Sequence, residues 1–125
     1  MINFFTEDIE FKFKNKRACK KWILSTLEEE GVIKSRKFEE LSVIFCSDEY
    51  LLEMNKKYLG HNYYTDVITF DNSEERNFSG DVFISVERVR ENAETYNQLF
   101  IDELHRVIIH GVLHLTGYDD GTKQE

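Results

Sequence analysis

Hydrophobic positions follow two different periods along this chain. Alternation with polar residues, or short apolar runs between turn residues, predicts strands at 1–7, 41–47, 66–71 and 80–87. Helical spacing of apolar residues predicts helices at 15–31, 48–60, 87–98 and 101–117. Strands and helices in this order, without a strict βαβ alternation, indicate an α+β fold with a small mixed sheet.

Residues at the predicted boundaries agree with these elements. Asn15 is expected to cap the first helix and Gly31 to end it, while Ser47 or Asp48 caps the second and Gly60 follows it. The predicted buried face of the first helix has four residues: Cys19, Trp22, Ile23 and Leu27. In the fourth strand, Val82, Ile84 and Val86 should share one face.

The last helix is apolar around most of its circumference, which predicts a buried central helix. Its main apolar stripe consists of Ile101, Leu104, Ile108, Val112 and Leu115. Ile109 and Leu113 make a second side of the helix apolar. His110 and His114 lie about 40° apart on the side away from that stripe, so both imidazoles can face one cleft. His105 lies about 140° from His110 and should be a separate surface or core histidine.

The segment that follows these histidines supplies a third candidate ligand. Gly117 is expected to adopt a left-handed conformation, which ends the helix and can return Asp120 to the histidines. Two imidazoles and one carboxylate are a common ligand set for catalytic zinc, with a fourth position open to water. The stretch HGVLHLTGYDD therefore predicts a metal site formed by His110, His114 and Asp120.

The spacing HxxxHxxGxxD is that of metzincin peptidases, with one difference. Those enzymes carry Glu directly after the first histidine as general base, whereas this chain has Gly111. A peptidase of this type would therefore have no proton acceptor at this position. Hydrolysis stays open, because zinc can lower the pKa of its bound water to about 7.

Composition limits the other possibilities. The chain has 125 residues, which suits one globular domain over 1–125. Its net charge of -8 disfavours a protein that binds nucleic acid over its whole surface without regard to sequence. Residues 1–25 are different, since six basic and three acidic residues give +3; this face either meets phosphate or is a solvated helix surface. No apolar run suits a membrane span and the start lacks a basic signal, so we expect a cytoplasmic protein. Cys19 and Cys46 are expected to be free buried thiols.

Three stretches together resemble one known family. HGVLHLTGYDD resembles the HGxLHLxGYDH signature of the YbeY family of bacterial rRNA maturation factors. NKKYLGHNYYTDVITF is similar to that family's NxxYRxxxxPTDVLSF segment, and GDVFISVERVRENA is similar to its GDIxIS strand and following helix. The likeness runs from about residue 40 to 120.

The resemblance implies a zincin-like fold and a metal-dependent, single-strand-specific endoribonuclease. It makes His110 and His114 ligands of one Zn²⁺, or of another divalent metal, and puts Asp120 where the family has a third histidine. Metal-bound hydroxide would attack a phosphodiester. The implied partners are ribosomal RNA, as a small-subunit precursor, and the ribosome or its proteins.

The chain departs from the family pattern at several positions. Leu59 stands where the family has an arginine implicated in substrate handling, and Tyr64 replaces a proline. Arg88, Arg106 and the basic N-terminal residues are candidate phosphate-binding substitutes, or ordinary surface charges. The family usually continues into another helix after residue 120, so a C-terminal helix is expected to be missing here.

The catalytic residues beyond the metal stay open, with Asp66, Asp81 and His61 as candidates. Thr65, Asp66, Gly80 and Asp81 match family positions near strand ends. Either aspartate could orient a ligating histidine or simply cap a turn, and His61 could reach the cleft or be an exposed loop residue. Two alternatives to the endoribonuclease remain: a non-catalytic, metal-containing ribosome assembly factor, and a zincin-like metallopeptidase.

Overall fold

Four strands form one mixed sheet, with the first and third strands of the chain at its two edges. The computed structural model describes residues 1–32 and 36–117. The strands are β1 (Ile2–Thr6), β2 (Lys37–Cys46), β3 (Val67–Asp71) and β4 (Asn77–Ser85). The helices are α1 (Lys16–Glu29), α2 (Asp48–Met54), α3 (Val86–Thr95) and α4 (Phe100–Leu115), and a π-helical turn at Asn55–Leu59 extends α2. The α+β prediction is confirmed.

Strand direction follows from how the strands are connected. β1 and β2 pair in parallel, and so do β2 and β4, because helices α1 and α2 lie between them in sequence. β3 and β4 pair antiparallel, with Val67 opposite Ile84 and Phe70 opposite Asp81. The short connection between these two strands allows only the antiparallel arrangement.

The main core lies between the sheet and helices α1, α3 and α4. Fully buried side chains there include Ile23 and Leu27 of α1, Val82 and Ile84 of β4, and Ile108 of α4. A smaller cluster on the other side of the sheet contains Cys46, Leu51 and Ile68, with Phe70 and Phe83 beside it. Helix α4 is buried along most of its length, as its apolar circumference predicts.

Most predicted element boundaries agree with the structure within a few residues. Ser47 is the cap of α2, since its hydroxyl accepts a hydrogen bond from the Tyr50 amide at 3.0 Å. Asn15 precedes α1, but its side chain makes no capping hydrogen bond. Gly31 and Gly60 adopt left-handed conformations after their helices, with φ of 76° and 71°.

Four details of the prediction are wrong. β2 begins at Lys37 and not at residue 41, because its polar first half still pairs with β4. The predicted helix 48–60 changes to π-helical geometry at Asn55. Trp22 is 49% exposed and is not a buried core residue; its ring lies 4.5 Å from that of His105 in α4. Val86 is buried but begins α3, so it does not continue the strand.

Two further observations concern the cysteines and membranes. Cys19 and Cys46 are buried free thiols, as expected, and burial raises the pKa of each to about 12. Among residues 1–32 and 36–117, no helix has both the length and the apolar character needed to cross a bilayer.

Candidate active site

The second half of α4 forms one wall of a cleft with a volume of about 580 Å³. The opposite wall comes from the loop between the π-helical turn and β3, and from β3 itself. Residues at 55–69 that line the cleft are Asn55, Leu59, His61, Tyr63, Thr65, Asp66, Val67, Ile68 and Thr69. Helix α4 contributes Arg106, His110 and His114, which recur every four residues and so share one face.

The two histidines of this face converge as their spacing predicts. His110 Nε2 and His114 Nε2 are 3.0 Å apart, and the ring centroids are 4.5 Å apart. At this distance one nitrogen donates a proton to the other, or both direct lone pairs at a shared cation. Asp120 lies outside the described residues and stays a predicted third ligand.

Gly111 lets α4 approach the sheet closely between these histidines. A Cβ atom on Gly111 would lie 2.8 Å from Val82 Cγ1 and 3.2 Å from Val67 Cγ2. The position at which metzincins carry their general base therefore faces packed β-strands and not the cleft. A glutamate side chain has no room there.

Arg106 lies one helical turn before His110 and is held by Glu103. Its Nη2 and Nε atoms donate to the two Glu103 carboxylate oxygens at 2.7 and 3.1 Å. Glu103 is buried, and this pairing raises the pKa of Arg106, so the guanidinium keeps its charge. The result is a cation with a fixed plane at the cleft wall.

Asp66 stands at the start of β3 on the opposite wall. Burial raises the pKa of its carboxyl group, while the charges of Arg106 and His110 act in the other direction. Its Oδ2 accepts a long hydrogen bond of 3.4 Å from Asn92 Nδ2. The structure thus brings Asp66 to the same cleft as the histidines.

The structure corrects the expected position of Asp81. Successive side chains of a strand point to opposite faces, and Val82 of β4 faces Gly111. Asp81 therefore faces away from α4, where its Oδ2 accepts a hydrogen bond from Asn72 Nδ2 at 2.9 Å. It has no place in the cleft. Gly80 lies in β4 beneath Leu115, where it serves packing.

Arg88 is occupied elsewhere. Its Nη2 and Nε atoms contact the two carboxylate oxygens of Asp48 at 2.7 and 3.4 Å, and its Nη1 atom pairs with Glu91 at 2.6 Å. The guanidinium also lies 5.0 Å from the Tyr64 ring centroid. Arg88 thus joins α2 to α3 and is a poor candidate for phosphate binding.

Comparisons with known proteins identify the family of this chain. The profile of the family described as Endoribonuclease YbeY matches residues 1–125. An "Endoribonuclease YbeY" from Cytophaga hutchinsonii is 47% identical over 127 residues, covering 99% of this chain and 85% of the relative. One from Karelsulcia muelleri is 49% identical over 125 residues, with 100% and 85% covered.

This chain belongs to the Endoribonuclease YbeY family. The solution structure of TM1509 from Thermotoga maritima is similar in fold, with a TM-score of 0.57 and 34% sequence identity. That match covers 95% of this chain and 74% of TM1509. The fold expected for a YbeY protein is the one observed.

Two of the positions at which this chain departs from the family pattern, Leu59 and Tyr64, lie in or next to the cleft lining. Leu59 lines the cleft where the family pattern has an arginine, so Arg106 is the cleft's guanidinium group within the described residues. Tyr64 takes the proline position, and its hydroxyl donates to Glu49 at 2.6 Å. This bond fixes the loop against α2.

Sequence reasoning missed Asn55 and Tyr63 as cleft residues. Asn55 is buried, and its Nδ2 donates to the Tyr63 carbonyl at 2.9 Å. The signal that could have found it is an amide residue on the apolar side of a helix just before a glycine turn. Tyr63 gave no such signal, because its position depends on that loop contact.

Proposed function

We propose that this chain is a zinc-dependent, single-strand-specific endoribonuclease of ribosomal RNA maturation. Membership of the YbeY family supports an endoribonuclease role in rRNA processing and a hydrolase activity. The observation that carries the proposal for the site is the convergence of His110 and His114 in an open cleft. A catalytic metal needs such a site, with room for water and substrate beside its ligands.

The donor set fits a zinc ion. Two nitrogens bound to zinc at about 2.0–2.1 Å and at a tetrahedral angle lie roughly 3.3 Å apart, close to the 3.0 Å between the two Nε2 atoms. Among the residues that the structure describes, no third His, Cys, Asp or Glu completes a metal cluster. Asp120 fits as the third ligand by its spacing, although a carboxylate also suits other divalent metals.

When bound at these residues, zinc supplies a Lewis acid and lowers the pKa of a water molecule to about 7. The protein's own contribution is to position the phosphate and to handle protons. Arg106 binds a phosphate oxygen through N–H groups that Glu103 does not use, and its fixed plane makes the contact specific. Asp66 holds or accepts a proton at Oδ1, because its Oδ2 already accepts a hydrogen bond from Asn92.

An RNA substrate is consistent with the charge near the cleft. The whole chain carries -8, but residues 54–64 contain Lys56, Lys57 and no acidic residue. The exposed N-terminal basic residues are a second region that can meet phosphate. We further propose that the protein works as one domain in the cytoplasm, where ribosomal proteins share in holding the RNA.

Packing at Gly111 disfavours the peptidase alternative, since no general base fits at that position. A non-catalytic assembly factor would hold its metal in a closed ligand shell. The cleft beside His110 and His114 favours an open one.

Cleavage of a labelled single-stranded RNA tests the proposal. We expect the zinc-loaded chain to cut it, a chelator to stop the reaction, and added zinc to restore it. The His110→Ala, His114→Ala double variant should not cut under any of these conditions. A zinc-containing wild type that cuts neither free RNA nor precursor ribosomal particles would contradict the proposal and favour the assembly factor.

A further inference from the structure

The loop that faces the histidine side of α4 carries a stacked pair of aromatic rings at the cleft. His61 and Tyr63 have ring centroids 5.1 Å apart and an interplanar angle of 17°. The Tyr63 hydroxyl and His61 Nδ1 are 2.9 Å apart, which is a hydrogen bond. Both residues line the cleft that contains His110 and His114, yet Tyr63 is 56% exposed. One face of a large ring is therefore supported while much of the ring stays open to solvent.

The backbone under this pair is fixed by one buried side chain. Asn55 is 2% exposed, and its Nδ2 donates to the Tyr63 carbonyl at 2.9 Å. The Asn55 carbonyl accepts from the His61 amide at 3.1 Å, across the left-handed Gly60. Asn55 starts the π-helical turn, a geometry that often marks functional positions. Because the two rings are already ordered, binding of a ligand costs little free energy for ordering them.

The charge around the pair suits an anionic chain. We define the rim segment as residues 54–64, which carry Lys56 and Lys57 and no acid, in a protein of net charge -8. Lys56 pairs at 3.5 Å with Glu53, and both of these side chains are exposed. Lys57 lies 5.2 Å from the Tyr58 ring centroid. Neither lysine lines the cleft itself, so the rim segment adds positive charge near the cleft, and the aromatic surface at the cleft comes from the His61–Tyr63 pair.

We propose that the Tyr63–His61 pair is a stacking platform for one unpaired RNA base, next to the phosphate that is cut. This inference rests on the proposed function and deepens it. A base within a duplex is already stacked on its neighbours, whereas an unpaired base can leave the strand and cover an aromatic ring. The platform thus selects single-stranded RNA by the shape of the base and not by its sequence.

Binding of a single-stranded RNA that contains 2-aminopurine tests the platform. The full chain is used with a chelator, so that binding is measured without cleavage. We expect the wild type to quench the fluorescence, and Tyr63→Leu to lose the quenching and to bind about 5- to 100-fold more weakly. Tyr63→Phe keeps the ring and should retain most of both effects. Tyr58→Leu is the matched control, because this exposed tyrosine packs at 5.7 Å on Phe70, away from the cleft, and should change the affinity less than twofold.

Equal RNA affinity and equal quenching in the wild type and Tyr63→Leu would overturn the platform. If the wild type still cuts RNA when zinc is added, the proposed function survives that result. A wild type that neither binds nor cuts RNA would overturn both together. An equal loss in Tyr58→Leu and Tyr63→Leu would also overturn it, because general aromatic surface would then explain the binding.

Discussion

The two halves of α4 use the same side chain for opposite purposes. In the first half, His105 is buried, with its ring 4.5 Å from Trp22 and 6.4 Å from Phe13. Its Nε2 has no hydrogen-bond partner among residues 1–32 and 36–117. In the second half, His110 and His114 are half-buried at the cleft and face each other at 3.0 Å.

The neighbours of each half account for this difference. Aromatic side chains before and within α1 cover His105, and burial lowers its pKa, so the ring stays neutral and acts as a flat apolar group. Loop 60–66 faces His110 and His114 across the cleft, which leaves an open volume, whereas Gly111 between them packs directly on β3. A histidine in a helix is therefore a candidate metal ligand only where its side chain faces an open cleft.

The largest effect is expected at Asp120, the proposed third ligand beside His110 and His114. Asp120→Ala should weaken zinc binding by more than the roughly 10–100-fold that loss of a supporting outer residue costs. Asp119→Ala, one residue earlier, is the matched control and should bind zinc normally. Titration of the metal-free proteins with zinc measures both. Unchanged affinity in Asp120→Ala would remove this residue from the ligand set.

A second prediction separates Arg106, at the cleft, from Arg88, which joins helices. Arg106→Lys keeps a positive charge beside the buried Glu103 but loses the planar fork, so cleavage efficiency should fall about tenfold. Arg88→Lys should lower the free energy of unfolding and leave the cleavage efficiency of the folded protein unchanged. Kinetics on one RNA, with thermal melts of both variants, distinguish these outcomes. Equal losses of cleavage in the two variants would contradict a phosphate role for Arg106.

The third prediction concerns Gly111, which lies between the two proposed ligand histidines. Alanine usually stabilises a helix interior relative to glycine by about 1 kcal/mol. Here the added methyl group would lie 2.8 Å from Val82, so Gly111→Ala should lower the free energy of unfolding by about 1–3 kcal/mol. Ser25→Ala, at an exposed position of α1, is the control and should be neutral or slightly stabilising. A denaturant titration that finds Gly111→Ala more stable would show that the helix can move away from the sheet.

The smallest effect is expected from His105→Leu. The pKa of His105 is lowered in the folded state, so the unfolded chain binds a proton at higher pH than the folded one. Stability should therefore fall as the pH drops below about 6.5 in the wild type, and this fall should be smaller in the variant. At pH 8, where the histidine is neutral in both states, the change should be less than about 1.5 kcal/mol. Identical pH profiles for the two proteins would contradict a buried neutral His105.

Local sequence patterns were sufficient for the α+β class and the buried last helix. Spacing alone brings His110 and His114 together, because both belong to one helix with a known period. The face of Asp81 could also have been found, since alternation along β4 puts it opposite Val82. Patterns within one element were the reliable part.

Contacts between elements could not be predicted in this way. Trp22 belongs to the apolar stripe of α1, but its exposure depends on how α4 crosses that helix. The π-helical turn at Asn55 has no periodic signal, and the Tyr63–His61 pair depends on it. The sequence offered Arg106 and Arg88 equally as phosphate-binding candidates, and only the contacts between elements put Arg106 in the cleft and pair Arg88 with Asp48.

Elemental analysis of the purified protein shows whether His110 and His114 hold a metal. The protein should be purified without a chelator or a histidine tag, beside the His110→Ala, His114→Ala double variant and His105→Ala. We expect about one zinc per chain in the wild type and in His105→Ala, and none in the double variant. Equal metal content in all three proteins, or no metal in the wild type even after zinc is added, would contradict this expectation.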